Sequence, residues 1–170
     1  MCIRDSDPIN KLDPGYVDPI QITLNTWNDA SFFVDFDKGG KPRPFRLGAF
    51  ADKSVWNPDN KEIPEPERPL VTAKSNPFSD KKWTHVAFTW EGFNTEKKDG
   101  IATLYLNGKN EGAIENWNQN FSWAGKTHRI LIGLNYMGLF DDLACFNRTL
   151  SQKEIESIYN HKNSLLGLLK

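Results

Sequence analysis

The stretch that decides the fold runs from Gly138 to Tyr159 and reads GLFDDLACFNRTLSQKEIESIY. Ser151, followed three residues later by Glu154, forms a capping box, in which the two side chains satisfy backbone groups at the start of a helix. Ile155 and Ile158 then repeat on one face of about two helical turns. A helix of this length is not stable by itself, so we expect it to pack on a larger structure.

The residues before this helix have the composition of a strand. Over Leu139–Phe146 the period of two places Asp141 on one face and Asp142 on the other, and both faces are largely apolar. A strand that is apolar on both faces is typical of the centre of a sheet in a two-sheet sandwich. The sequence therefore predicts a buried central strand here.

Most of the chain upstream alternates between apolar and polar residues, as strands do. Within the third predicted strand, Phe45, Leu47 and Ala49 share one face. Asn107-Gly108 is a dipeptide that tolerates the positive φ of a tight hairpin turn, and Asn57–Pro77, with five prolines, is predicted to be a long loop. The predicted strands upstream of the opening stretch are 19–25, 31–37, 44–52, 83–93, 101–107, 109–114 and 129–133.

Four ordered segments resemble the laminin-G-like (concanavalin A-like) jelly roll: Trp83–Ala87, Thr103–Gly108, Ile130–Gly133 and the closing Gly138–Tyr159. The resemblance covers roughly residues 31–159. It implies an all-β fold, with two antiparallel sheets packed as a β-sandwich and one short C-terminal helix.

The length of 170 residues is enough for one sizeable core and too short for two typical domains. We interpret residues 19–160 as the jelly-roll domain, lacking its first strands, and residues 161–170 as a tail or linker. Residues 1–18 are predicted to be irregular. The first six, MCIRDS, resemble a translated sequencing adapter of the kind found in metagenomic reading frames, and we expect them to be artefactual.

Composition limits the partners. Twenty-one basic and 22 acidic side chains give a net charge of -1, so no overall field attracts a nucleic acid. The sequence contains no run of about 18 apolar residues, so we expect no insertion into a membrane. Neutral or weakly charged ligands fit this composition better, and we expect a monomeric module within a larger chain.

The resemblance implies a metal site at the start of the last predicted strand. In the family an aspartate at this place helps to bind a structural calcium ion, for which Asp141 is the first candidate and Asp142 the second. The alternative is that both carboxylates are exposed or cap a turn.

A carbohydrate site needs flat aromatic rings, which stack on the apolar face of a sugar, together with amides that bond its hydroxyls. Loop residues of these types are the predicted ligand-binding set, whereas Trp83 and Trp90 are assigned to structure. The alternative for each tryptophan is that it closes over the core. The set is Trp117, Trp123, Trp56, Asn118 and Tyr136, with Asn116, Gln119 and Asn120 as further amides.

Catalytic residues are not predicted. A retaining glucanase needs two carboxylates ~5 Å apart, whereas Glu62, Glu65 and Glu67 alternate with prolines that exclude a paired central strand. The resulting hypothesis is a non-catalytic recognition module of a larger exported protein, extracellular or on the cell surface, that binds a glycan or a protein surface. The alternatives are a polysaccharide-active enzyme of the same fold and a structural spacer.

Overall fold

The computed structural model describes residues 2–5, 31–37, 43–122, 130, 132–133, 138–161 and 165. Within them the chain forms two antiparallel sheets and a C-terminal helix, which confirms the predicted all-β sandwich. The five-stranded sheet has the order β7-β6-β5-β1-β8, and the three-stranded sheet has the order β2-β3-β4. The strands are β1 (Cys2–Asp5), β2 (Ser31–Phe36), β3 (Phe45–Phe50), β4 (Leu70–Thr72), β5 (Thr84–Glu91), β6 (Gly100–Leu106), β7 (Lys109–Trp117) and β8 (Gly138–Asp141).

Short helical segments accompany the sheets in the described part of the chain. Helix α1 (Lys53–Trp56) is a single turn after β3, and a 3-10 turn at Glu65–Glu67 precedes β4. Helix α2 (Gln152–Asn160) follows β8 and begins at the predicted capping box. The predicted helix start is therefore confirmed.

The core lies between the two sheets. Phe45, Leu47 and Ala49 of β3 are all buried, as their shared face predicts. They pack against alternate residues of the facing sheet, since side chains two apart along a strand point to the same side. The facing residues are Val86, Ala102, Leu104, Leu106 and Ile114.

The hairpin between β6 and β7 has the predicted turn. Asn107 has φ 50° and Gly108 has φ 77°, so both central residues are left-handed, as a two-residue hairpin turn requires. Leu106 then lies opposite Lys109 across the turn.

The last strand is shorter and more exposed than predicted. β8 ends at Asp141 because Asp142 has φ 50°, which interrupts the extended run. Leu143 and Phe146 are 54% and 42% exposed, and among the described strands β8 is the last of its sheet. The prediction of a buried central strand over Leu139–Phe146 is therefore wrong in both length and burial.

Three further segments differ from the sequence interpretation. Residues 2–5, predicted to be irregular, form β1 between β5 and β8. The predicted Asn57–Pro77 loop contains β4, which pairs with β3 over three residues. Ile130 and Ile132, predicted to lie in a strand, are exposed and outside any strand. The strand predicted at 19–25 and most of the 161–170 tail lie outside the described residues, and the domain boundaries stay a prediction.

Candidate functional site

The strands β5, β6 and β7 run between two ends of the sandwich that differ in chemistry. At one end β5 begins, and the Asn107-Gly108 turn joins β6 to β7. We call this end, together with helix α2, the hairpin end. At the opposite end lie residues 51–57, 91–94 and 117–122, which we call the tryptophan end because it carries Trp56 and Trp117.

At the hairpin end the turn is bonded on two sides. The backbone N–H of His85 donates to Asn107 Oδ1 at 3.0 Å, and the N–H of Asn107 donates to the His85 carbonyl at 2.9 Å. Gln152 Nε2 of α2 donates to the Gly108 carbonyl at 2.7 Å. A Cβ at Gly108 would lie 3.1 Å from the ring of Tyr159, so only glycine combines the turn's backbone with this close helix.

Helix α2 is fixed by its cap and by one apolar contact. Ser151 Oγ accepts from the Glu154 N–H, and the Glu154 carboxylate accepts from the Ser151 N–H at 2.8 Å. Leu150 and Ile155, both buried, pack on Tyr105 of β6. The helix therefore packs on the outer face of the five-stranded sheet. This confirms the expectation that so short a helix packs on a larger structure.

Two titratable side chains at this end have lowered pKa values. Hydrogen bonding to Arg148 lowers the pKa of the Glu154 carboxyl to about 2. Burial lowers the pKa of His85 to about 4. Neither group titrates near neutral pH, where a general acid or base of a neutral-pH enzyme titrates.

At the tryptophan end two indole rings lie close together. Trp56, the last residue of α1, packs edge-on against Phe50 with ring centroids 5.0 Å apart. Its ring centroid is 6.4 Å from that of Trp117, at the end of β7, with 53° between the planes. Both tryptophans are half-buried, and Trp117 also packs against the core. The rings of Trp56 and Trp117 are therefore held in place by packing and are still partly exposed to solvent.

The loop after Trp117 is held by long-range hydrogen bonds. Asn94 Nδ2 donates to the Phe121 carbonyl at 3.0 Å, and the Phe121 N–H donates to Asn94 Oδ1 at 2.6 Å. Gln119, 1% exposed, donates through Nε2 to the Glu91 carbonyl at 2.7 Å. Phe93 stacks on Phe121 with centroids 5.1 Å apart. These contacts make the loop a rigid support for the tryptophans.

Three consecutive residues of this loop carry buried polar atoms without a hydrogen-bond partner. They are Trp117 Nε1, a donor, and the acceptors Asn118 Oδ1 and Gln119 Oε1. A buried polar atom without a partner costs about 1–3 kcal/mol, so three in succession are uncommon in a purely structural loop. Among the other described residues, His85 Nδ1 at the hairpin end and His161 Nε2 directly after α2 are also buried without a partner.

The structure brings together three of the five predicted ligand-binding residues. Trp56, Trp117 and Asn118 lie at the tryptophan end, whereas Trp123 and Tyr136 lie outside the described residues. Gln119 uses its amide N–H in the scaffold. Sequence reasoning missed Asn94, because its partner Phe121 is 27 residues away and no local pattern indicates such a bond.

The two tryptophans assigned to structure are both partly exposed. Trp83 is 45% exposed, directly before β5 at the hairpin end. Trp90 is 39% exposed, and its ring packs on Phe32 with centroids 5.3 Å apart. Their exposure makes them useful comparison positions for the tryptophan pair.

The predicted metal residues do not form a calcium cage by themselves. Asp141 is exposed in β8, and Asp142 Oδ2 accepts from the Leu165 N–H at 3.1 Å. Calcium takes six to eight oxygen ligands, whereas no group of three or more His, Cys, Asp or Glu side chains comes together among the described residues. Calcium binding stays a prediction.

The fold and the ordered motifs define a jelly-roll sandwich, and comparison with known families agrees. A laminin G family model, described as the concanavalin A-like lectin/glucanases superfamily, matches residues 19–156. The chain belongs to this family. By its description the superfamily contains both binding proteins and enzymes, so membership leaves the choice between them to the site.

One solved structure is weakly similar to the chain. A crystal structure of an S-layer domain-containing protein (residues 221–444) from Clostridium thermocellum ATCC 27405 is 20% identical and covers 91% of this chain and 73% of its own. The TM-score of this likeness is 0.40. No curated protein matches the chain. No described helix is both long and apolar enough to cross a membrane.

Proposed function

We propose that the chain is a non-catalytic carbohydrate-recognition module that binds its ligand at the tryptophan end, within a larger exported protein. The observation that carries this proposal is the pair of half-buried indole rings of Trp56 and Trp117, 6.4 Å apart. A sugar ring has an apolar face edged by hydroxyl groups, and indole rings are suited to stacking on that face.

The way the rings are held supports the proposal. Trp56 is the last residue of a single helical turn and packs against Phe50. The Asp52 N–H donates to the Asn120 carbonyl at 2.8 Å, which connects this turn to the loop after Trp117. A ring that is already fixed loses little conformational entropy on binding. Preorganisation of this kind favours affinity for a small, rigid ligand.

Hydrogen-bonding capacity beside the rings also supports the proposal. Trp117 Nε1 is a donor without a partner, and Asn118 Oδ1 and Gln119 Oε1 are acceptors without one. A sugar hydroxyl donates and accepts, so it matches a site that offers both kinds of atom.

Charge favours a neutral ligand. The chain has a net charge of -1, and the polar groups of the tryptophan end that lack partners are uncharged. A strongly anionic polysaccharide gains nothing from such a site. We therefore propose a neutral glycan as the ligand class, and an extracellular or cell-surface location as part of the same proposal.

A glycan array tests the proposal. Labelled wild-type protein is expected to bind neutral glycans and to leave sulfated and uronic acid glycans unbound. In parallel, release of reducing or unsaturated ends is measured on the glycans that bind. Binding without release supports a recognition module, release of ends identifies an enzyme and contradicts the proposal, and an array without binding also contradicts it.

A further inference from the structure

The outer face of the three-stranded sheet carries aromatic side chains. Three alternate residues of β2 pack inward on the core, so Phe33 and Asp35, which lie between them, are on the outer face. On β3 the buried inward residues likewise leave Arg46, Gly48 and Phe50 on the outer face. A sheet face turned away from the core is ordinarily polar, whereas this one carries two phenylalanines.

The two phenylalanines continue the tryptophan pair. The Phe33 ring stacks on that of Phe50 with centroids 5.5 Å apart and 16° between the planes. Phe50 packs edge-on against Trp56, whose ring in turn lies near that of Trp117. We call Phe33, Phe50, Trp56 and Trp117 the aromatic row. Phe50 is buried beneath its neighbours, and the other three rings are partly exposed.

A glycine lets the ring of Phe33 lie close to the sheet. Phe33 is directly opposite Gly48 of β3. A Cβ at Gly48 would overlap the Phe33 ring atoms Cε1 and Cζ, so the ring occupies the space that a side chain at this position would fill. Strand pairing, Gly48 and the stacking on Phe50 therefore fix the ring before any ligand binds.

A charged pair follows Phe33 along the same face. Asp35 lies opposite Arg46, and Arg46 donates through Nε to Asp35 Oδ1 at 2.7 Å and through Nη2 to Oδ2 at 3.0 Å. Each carboxylate oxygen can accept more than one hydrogen bond, and the Asp35 side chain is 35% exposed. Asp35 is therefore a fixed acceptor for a hydroxyl group beside the aromatic row.

We propose that this face binds the interior of an extended neutral polysaccharide chain. One sugar unit lies at Trp56 and Trp117, and further units lie over Phe33 and beside Asp35. The inference rests on the proposed function and adds the length of the ligand and the direction in which it runs.

The dimensions and the chemistry of the face support a chain rather than a single sugar. From the level of Phe50 to that of Arg46, β3 rises about 13 Å, which is longer than one sugar ring, and the two tryptophans extend the site further. Each sugar unit is itself small and rigid, so fixed rings suit it. The aromatic row continues the proposed glycan site without a break, and this continuity assigns the same class of ligand to both.

Calorimetric titration with linear neutral oligosaccharides tests the inference. The probes are cello-, laminari- and manno-oligosaccharides of one to six units. In a series that binds, we expect the affinity of the wild type to rise at least tenfold from the disaccharide to the tetrasaccharide. Phe33→Ala removes this gain and keeps the wild-type affinity for the disaccharide, whereas Trp56→Ala lowers the affinity at both lengths. Trp83→Ala, at an exposed aromatic position of the hairpin end, is the control and keeps the full gain.

The failure of this inference differs from the failure of the proposed function. Equal affinity at all lengths, a gain that Phe33→Ala keeps, or binding of array glycans without binding of any linear series overturns the inference alone. An absence of binding to both the array and the linear series contradicts the proposed function itself.

A second copy of the chain is the other occupant that the experiment can detect. If sedimentation of the wild type shows self-association that Phe33→Ala abolishes, a second copy covers this face and the inference is wrong. If Phe33→Ala is unfolded by circular dichroism, Phe33→Leu is compared by the same criteria, because leucine keeps an apolar cover over Gly48 and Phe50 and removes the flat ring.

Discussion

The hairpin end and the tryptophan end terminate the same three strands, yet they use their polar groups differently. At the hairpin end the turn residues Asn107 and Gly108 are bonded to β5 and to helix α2. At the tryptophan end Trp117, Asn118 and Gln119 each keep one buried polar atom without a partner. The hairpin end also keeps two such atoms among the described residues, His85 Nδ1 and His161 Nε2, but only at the tryptophan end do three follow one another beside two indole rings.

This difference changes how the family signature is interpreted. The segments Trp83–Ala87, Thr103–Gly108 and the helical part of Gly138–Tyr159 meet at the hairpin end. Their sequence pattern reflects a shared structural joint between strands, turn and helix. The residues that carry the family resemblance at this end therefore have contacts that hold the fold together.

The largest expected effect is on stability at the hairpin end. Ile155 is 2% exposed and packs with Leu150 on Tyr105, so Ile155→Ala should lower the free energy of unfolding by about 2–5 kcal/mol. Urea denaturation measures the change, with half-buried Ile158→Ala as a smaller-effect control. A loss below about 1 kcal/mol for Ile155→Ala means that α2 contributes little to the fold.

Acid should weaken the same end. Burial lowers the pKa of His85 to about 4 from 6.5, so between these values the unfolded chain binds more protons than the folded one. Stability therefore decreases as the pH falls from 6.5 toward 4, by at most ~3 kcal/mol at 1.36 kcal/mol per pKa unit. Urea denaturation at several pH values should show this slope in the wild type and not in His85→Gln. If the wild type and His85→Gln lose stability with falling pH at the same rate, His85 is not buried in its neutral form.

The support of the tryptophan end should give a smaller loss. Asn94→Ala removes both hydrogen bonds to the Phe121 backbone, at about 1–3 kcal/mol, and places alanine at φ 54°. We expect glycan affinity to fall as well, because the loop carrying Trp117 loosens. Asn94→Asp, which keeps one acceptor, is the control. If glycan affinity is unchanged in Asn94→Ala, the loop after Trp117 does not contribute to binding.

The elements that sequence predicts correctly depend on neighbours along the chain. The capping box links residues three apart, the turn at Asn107-Gly108 depends on two residues, and the buried face of Phe45, Leu47 and Ala49 depends on a period of two. Local physics of this kind is visible in a single sequence.

The elements that sequence misses depend on distant partners. The bond between Asn94 and Phe121 and the pairing of β4 with β3 join separate parts of the chain. The left-handed backbone at Asp142, which ends β8, is likewise unmarked, because an Asp-Asp pair within an apolar run also fits a continuous strand. For the site, the residue types were predictable, while the contact between Trp56 and Trp117 was not.

The smallest expected effect is at the cap of α2. Ser151→Ala removes the acceptor for the Glu154 N–H, which should cost about 1 kcal/mol. Ser157→Ala, at an exposed position within the same helix, is the matched control and should be neutral or slightly stabilising. Equal changes in the thermal midpoint for the two variants contradict a working capping box.

The central claim, that recognition belongs to the tryptophan end and structure to the hairpin end, is tested most directly by calorimetric titration of a glycan that binds on the array. Trp56→Ala at one end is compared with Trp83→Ala at the other, where the side chain is 45% exposed. We predict at least a tenfold loss of affinity for Trp56→Ala and wild-type affinity for Trp83→Ala, with both variants folded by circular dichroism. Wild-type affinity in Trp56→Ala, or an equal loss in the two variants, contradicts the claim.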